Sequence, residues 1–390
     1  MELHRIFTIA LTALAAIPTM AQDRNNEDEV VKVDARFSAY NYREGEVIVK
    51  FKDQSAAQIN APRRTKFRTS GVNSIDATLR ELGVSEVEAL MPLSGNQQVK
   101  RLARSVNGKT VAAPAMNRIY LMHYDKTKVR NTEEAVAKLA KLADVEYAEP
   151  NRIVYALGNT ESQDGLSKAL KDAQEQPNGG GGKNISNDDP LFGQQWGLQT
   201  MKLPQLWQQP IITQKRPIIA ILDTGVDIDH PDLKANIWTN TKESEGAEDY
   251  DDDGNGFKDD LHGWDFVNQT GRIGDWNGHG THCAGIAAAV GGNGIGIVGA
   301  NPDALIMPVT VMQSDGTGDV ATIIKGIDYA VANGADIISM SFGSYGESKA
   351  EEQALGRAYQ KAVLVAAAGN DGKCLNHKHP ENAQNFPMPM

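Results

Sequence analysis

Cysteine is nearly missing from this chain: Cys283 and Cys374 are the whole complement in 390 residues. Two thiols cannot staple a small secreted scaffold, so the fold has to be held by apolar burial. Positive charge is also in deficit, with 39 Lys and Arg against 50 Asp and Glu and a net charge of −11. A surface built to neutralise phosphates is not expected, which removes nucleic acid as a partner. Long apolar runs are absent apart from Ile6 to Pro18, which follows the polar start Glu2-Leu3-His4-Arg5. That run is too short for a bilayer core of about 30 Å. It ends in Thr19-Met20-Ala21, with small residues where a signal peptidase reads. Residues 1–21 therefore read as a cleaved secretory signal, the protein as secreted or extracytoplasmic, and the membrane as untouched beyond that signal. Internal repeats are lacking as well. What is present, 41% hydrophobic and 23% charged residues over 390 positions, is an ordinary globular composition with room for more than one core.

The organisation follows from periodicity. Residues 42–157 read as a small α/β module. Val47, Val49 and Phe51 alternate in one strand, and Ile75, Leu79 and Leu82 stripe a helix closed by Gly83. Arg118 to Met122 forms another strand. Asn131 caps a second helix, with Glu134 reaching back and Val136, Leu139 and Leu142 as its buried stripe. Val145 to Tyr155 returns as the last strand. A β-α-β-β-α-β order of this kind suggests a ferredoxin-like α+β module. Residues 158–188 are polar and carry Gly179 to Gly182, so they read as a flexible linker with a short helix near Leu166–Ala173. From 189 to 390 strand and helix alternate. Pro217 to Leu222, Leu305 to Val311, Asp336 to Ser341 and Val363 to Ala366 are strands. Helices run through Val320, Ile323, Ile324, Ile327 and Val331, stopping at Asn333-Gly334, and over 348–361. The fold class is α/β, a parallel sheet covered by helices, with function at the carboxyl ends of the strands.

Those strand ends carry the chemistry. Asp223 closes the first strand in Ala220-Ile221-Leu222-Asp223-Thr224-Gly225. Asn277-Gly278-His279-Gly280-Thr281-His282-Cys283 precedes a helix of small residues. Ser339-Met340-Ser341-Phe342-Gly343 ends a strand, and Ala366-Ala367-Ala368-Gly369-Asn370 ends the next. In this order the four motifs resemble the subtilisin-like serine peptidases, the subtilases, over about 200 residues from Asp189 onward. The resemblance implies peptide-bond hydrolysis of polypeptide substrates. Asp223 would hold the imidazole, His279 would be the general base, and Asn370 would donate to the oxyanion. Ser341, Phe342 and Gly343 would pair with an extended substrate as an added strand. It also implies that the module at 42–157, closing in Val145-Glu146-Tyr147-Ala148-Glu149-Pro150-Asn151, is a propeptide acting as intramolecular chaperone and inhibitor. The module's frequent basic residues face an acidic second segment, which favours docking.

One element departs from the family pattern. Subtilases take their nucleophile from a Gly-Thr-Ser-Met-Ala type motif after the asparagine, and none occurs in these 390 residues. The expectation is an N-terminal portion of a secreted precursor whose peptidase domain is truncated before the serine and is silent by itself. The alternative is a non-catalytic secreted protein, an inhibitor-like module on a calcium-stabilised scaffold.

Two calcium sites are expected. In Asp251-Asp252-Asp253-Gly254-Asn255-Gly256, the residues Asp251, Asp253 and Asn255, with Asp260, set oxygen ligands at loop spacing without the closing glutamate of an EF-hand. The family resemblance implies the other, from Asp232 and Asn293 with the carbonyls of Val290, Ile295 and Ile297. Gly294-Ile295-Gly296-Ile297-Val298-Gly299 spells a dinucleotide fingerprint, but it follows a helix and opens none, so it reads as a loop. Cys374, His377 and His379 lack a fourth zinc ligand and read as polar loop. Cys283 reads as a buried thiol on the helix behind His279.

Overall fold

The computed structural model describes residues 41–93, 103–104, 110–111, 117–157, 189–208, 215–344 and 346–370. The expected signal, the linker with its short helix, and Cys374, His377 and His379 lie outside them.

The first module starts with β1 (Tyr42–Phe51) and the short edge strand β2 (Thr65–Lys66), then α1 (Asn73–Glu81) and β3 (Glu86–Ala89). A two-stranded ribbon of β4 (Ala103–Arg104) and β5 (Thr110–Val111) leads to β6 (Ile119–His123), α2 (Thr132–Ala140) and β7 (Val145–Ala156). The order across the sheet is β7-β1-β6-β3-β2. Its first four strands form the split βαβ arrangement expected from the sequence. β3 is the strand that periodicity does not pick out. Only four residues long, it gives too short a window for alternation to register. α2 begins as its sequence implies: the Asn131 side chain accepts from the Glu134 amide, while Glu134 accepts from the backbone and guanidinium of Arg130. Val47, Val49 and Phe51 pack with Ile75, Leu79 and Leu139 on the helix side of the sheet.

The second region opens with a 3₁₀ turn (Phe192–Gln194), α3 (Trp196–Thr200) and α4 (Leu203–Trp207). Next come β8 (Ile218–Asp223), α5 (Thr241–Ser244), β9 (Trp264–Asp265), α6 (His279–Ala288), β10 (Leu305–Thr310) and β11 (Thr317–Asp319). α7 (Val320–Ala332), β12 (Ile337–Met340), β13 (Phe342–Gly343), α8 (Lys349–Ala358) and β14 (Val363–Ala366) complete it. The five-stranded sheet runs β14-β12-β8-β10-β9 and is parallel throughout. All six residues of β8 are buried, which explains why they read as an unbroken apolar run. Asp319 caps α7 by accepting from the Thr322 amide, and Ser348 caps α8 by accepting from the Glu351 amide. No helix among the described residues is long and apolar enough to cross a membrane.

The two regions share a core. From the sheet of the first module, Ile48, Ile119, Leu121 and Tyr147 lie in one buried cluster with Ile323 and Ile327 of α7 and Ala350 and Ala354 of α8. Polar contacts fasten the same face. Buried Lys50 donates to the Gln353 side chain at 3.1 Å, as does the Tyr147 hydroxyl at 3.1 Å. Lys325 pairs with Glu88 at 3.1 Å, and the Leu93 amide donates to Asp328 at 2.9 Å. β7 then leaves its own sheet. Its Ile153–Tyr155 stretch pairs antiparallel with β11, and Tyr155–Ala156 pairs antiparallel with β13 on the other side. The last strand of the first module is thus the middle strand of a three-stranded ribbon in the second.

Candidate active site

Asp223 stands at the carboxyl end of β8, the central strand, where both faces are covered and the side chain is buried. His279 is the first residue of α6, and its Nδ1 lies 2.7 Å from Asp223 Oδ1. The approach depends on glycine. A Cβ at Gly280 would collide with the Gly225 carbonyl and lie 3.0 Å from the Asp223 Cβ, so only hydrogen fits between the helix start and the strand end. Gly278 takes the left-handed backbone, φ 93°, that turns the chain into α6.

Asp275 braces this turn. Its Oδ1 accepts from the Thr224 hydroxyl at 2.9 Å and from the amides of Asn277 and Gly278 at 3.0 and 2.8 Å. Its Oδ2 accepts from the Thr281 amide and hydroxyl at 2.8 and 2.7 Å. The Thr224 hydroxyl oxygen in turn accepts from the Gly280 amide at 3.0 Å. A carboxylate four residues before a histidine has no motif of its own, which is why spacing does not reveal it.

The other ring nitrogen of His279 meets the first module. Nε2 lies 3.2 Å from the carbonyl oxygen of Leu157, the residue that follows β7. The Leu157 amide donates to the Ser341 carbonyl at 2.8 Å, and the Ala156 amide to the Gly316 carbonyl at 2.8 Å. Phe342 and Gly343 pair with Ala156 and Tyr155. Ser341, Phe342 and Gly343 therefore line an extended peptide whose last described carbonyl points at an imidazole. Asn370 lies exposed beyond the end of β14, and the structure does not bring it into hydrogen-bond contact with His279. Burial opposes a charge on His279, but the hydrogen bonds and charge attraction of Asp223 and Cys283 together outweigh it and raise the imidazole above its ordinary range. Cys283 is a free thiol one helical turn on, 3.9 Å from His279 Nδ1, and burial pushes its pKa up. Such a group stays protonated and is a poor nucleophile.

Two oxygen-rich loops stand apart from this centre. Asp232 accepts from the Asn293 side chain at 2.8 Å and from the Ile297 amide at 2.9 Å, and the Val290 amide donates to its carbonyl. Ile295 sits in the same turn, its amide on Asn293. Asp189, which no motif in the sequence marks as a ligand, accepts from the amides of Gly292, Asn293 and Gly294 at 2.7 to 3.1 Å. Burial raises Asp232 to about 6. In the acidic loop, carboxylate oxygens of Glu243, Asp253 and Asp260 lie within 4.8 Å of one another. Glu243 enters from α5, a neighbour by folding that loop spacing does not disclose. Asp251 turns away to accept from the amides of Asn255 and Gly256, and Asn255 donates to Asp260. Burial raises Asp260 to about 6.

Residues 214–386 match the model of the Subtilase family, and residues 65–151 match the Fervidolysin N-terminal prodomain. Thermitase of Thermoactinomyces vulgaris is 39% identical over 187 residues, covering 47% of this chain and 58% of its own length. The thermophilic serine proteinase of Bacillus sp. (strain AK1) is 28% identical over 379 residues, 95% of this chain and 72% of that protein. Among solved structures, fervidolysin from Fervidobacterium pennivorans aligns with a TM-score of 0.51 at 21% identity, over 85% of this chain and 41% of that one. That last likeness concerns the fold. The chain spans little more than half the length of thermitase.

Proposed function

We propose, from the match of residues 214–386 to the Subtilase family and of residues 65–151 to the Fervidolysin N-terminal prodomain, that the chain is a subtilase, the precursor of a secreted serine endopeptidase with its prodomain ahead of its peptidase domain. The observation that carries the proposal is the Leu157 carbonyl 3.2 Å from His279 Nε2, on a strand held from both sides. This sets the carbonyl group of an extended peptide beside the imidazole that would serve its cleavage. In the proposed reaction a serine hydroxyl adds to the substrate carbonyl, and His279 Nε2 takes its proton. The protonated ring then passes that proton to the leaving amine as the C–N bond breaks. Asp223 holds Nδ1–H and balances the charge, and the Asn370 amide donates to the oxyanion. Ser341, Phe342 and Gly343 align the substrate backbone. The 390 residues contain no serine in a Gly-Thr-Ser-Met-Ala setting, so these residues alone are proposed to be silent.

The prodomain is proposed to inhibit by occupying the cleft, and the bond cut in maturation to be Leu157–Gly158. Calcium is proposed at both oxygen-rich loops. The carboxylates of Glu243, Asp253 and Asp260 converge as a hard cation requires; at the other loop Asp232 and Asn293 would have to turn their oxygens from the hydrogen bonds they now make. The decisive experiment expresses the complete open reading frame and sequences the mature N-terminus. A start at Gly158 is expected, together with labelling by a serine-directed fluorophosphonate. Secreted, unlabelled protein still joined to its prodomain would reject the reading.

A further inference from the structure

Counting back from the Leu157 carbonyl at His279, the sixth residue is Arg152. Its side chain reaches the second region. Nε donates to the Glu347 carbonyl at 3.1 Å. Its stem crosses Gly346 so closely that a Cβ there would stand 2.8 Å from Cδ, 2.9 Å from Nε and 3.0 Å from Nη1. The strip is open because residue 346 is glycine. The next segment is fixed: Ser348, Lys349 and Ala350 donate to Glu149 at 2.6 to 3.2 Å. What faces the sixth position is the Glu347 carbonyl as acceptor and a floor without a side chain.

Resting on the reading of this cleft as a peptidase site, we infer that Gly346 and Glu347 form a subsite for a basic side chain six residues before the bond to be cut. The substrate class is polypeptides with arginine at that place. Arginine is favoured over lysine, because the observed donor is Nε, where lysine has a methylene, and because a planar group lies flat on glycine.

The test uses peptides copying Pro150 to Leu157, continued past the scissile bond, with Arg, Lys, Ala or Glu at the sixth place. Matured enzyme from the complete open reading frame should cleave the Arg peptide roughly three- to tenfold better than the Ala peptide, mostly through KM. Lys should fall between them and Glu below Ala. In Gly346→Ala the Arg-to-Ala ratio should collapse toward one. A flat profile, or a preference that survives Gly346→Ala, overturns the subsite while leaving the peptidase reading intact. A second measurement needs no catalysis. In the precursor, Arg152→Ala should speed hydrogen exchange at the amides of residues 153–157, and Arg152→Lys should do so less. Unchanged exchange in both overturns the inference. Faster exchange with no peptide cleaved keeps the subsite and rejects the peptidase.

Discussion

Both ring nitrogens of His279 face oxygen acceptors, Asp223 on one side and the Leu157 carbonyl on the other. Donating to both at once needs a proton on each nitrogen, so these contacts favour the imidazolium form of the ring. Its raised pKa agrees. The sign follows by linkage: a histidine raised in the folded state contributes stability fully below its unfolded value, near 6.5, and loses it as pH climbs through the folded value. In the precursor the His279 ring should therefore remain protonated at pH 7, and Asp223→Asn should bring its titration down, as followed by proton NMR of the imidazole. An unchanged titration in Asp223→Asn would sink this account. In the matured enzyme the same substitution should cost on the order of 10⁴ in kcat, a magnitude taken from the known triad peptidases, subtilisin among them. Gly280→Ala should be as damaging by a different route, because the added Cβ meets the Gly225 backbone, which cannot rotate aside. The test is kcat of Gly280→Ala in protein that still melts cooperatively.

At the scale of elements, the start of α8 is where the first module is latched to the second region. Glu149 collects the Ser348 hydroxyl and two amides there, and a carboxylate at a helix N-terminus is favoured by the helix dipole. Loss of one such cap costs about 1 kcal/mol. Glu149→Ala should thus weaken prodomain inhibition roughly fivefold, read as the inhibition constant of the added prodomain. Beneath the latch, burial and then the charge of Glu149 raise Glu351 from 4.5 to about 7. Between those values the docked state holds a proton that the unfolded chain has released, so stability falls as pH rises through that window. Melting of the precursor should drop less from pH 4.5 to about 7 in Glu351→Gln than in wild type, and equal slopes would rule the residue out. These contacts also mark the limit of sequence reading. The strand ends bearing Asp223 and His279 are legible because buried parallel strands are continuous apolar runs and tight approaches need glycine. β7 is legible as a strand, but not its passage into the cleft, since pairing across about 160 residues leaves no local period.

Across the whole molecule, the acidic loop is tied to both regions: Glu243 and Asp253 belong to the second, while Arg63 of the first donates to the Gly256 carbonyl. Asp189 and Glu243 escape sequence reasoning for one reason. Asp189 lies 103 residues before Gly292 and Glu243 comes from a separate helix before the acidic loop, so neither sits in a recognisable spacing. A cation bound at these loops would add its own bonds to segments already linked by amide and carboxamide donors and, at Asp260, by the Tyr329 hydroxyl. An ion that binds the folded state alone stabilises it by mass action, about 2.7 kcal/mol at a hundredfold excess over Kd. For a chain of this size that is a shift of several degrees in melting temperature. Removing calcium from the precursor with excess EDTA should lower its melting temperature, and adding calcium back should restore it. Asp232→Asn and Glu243→Gln should each remove part of the EDTA response, and the double variant nearly all, because the two loops share no ligand and their effects should add. Melting that ignores EDTA in wild type would dismiss both sites. A response that survives the double variant would place the ion elsewhere.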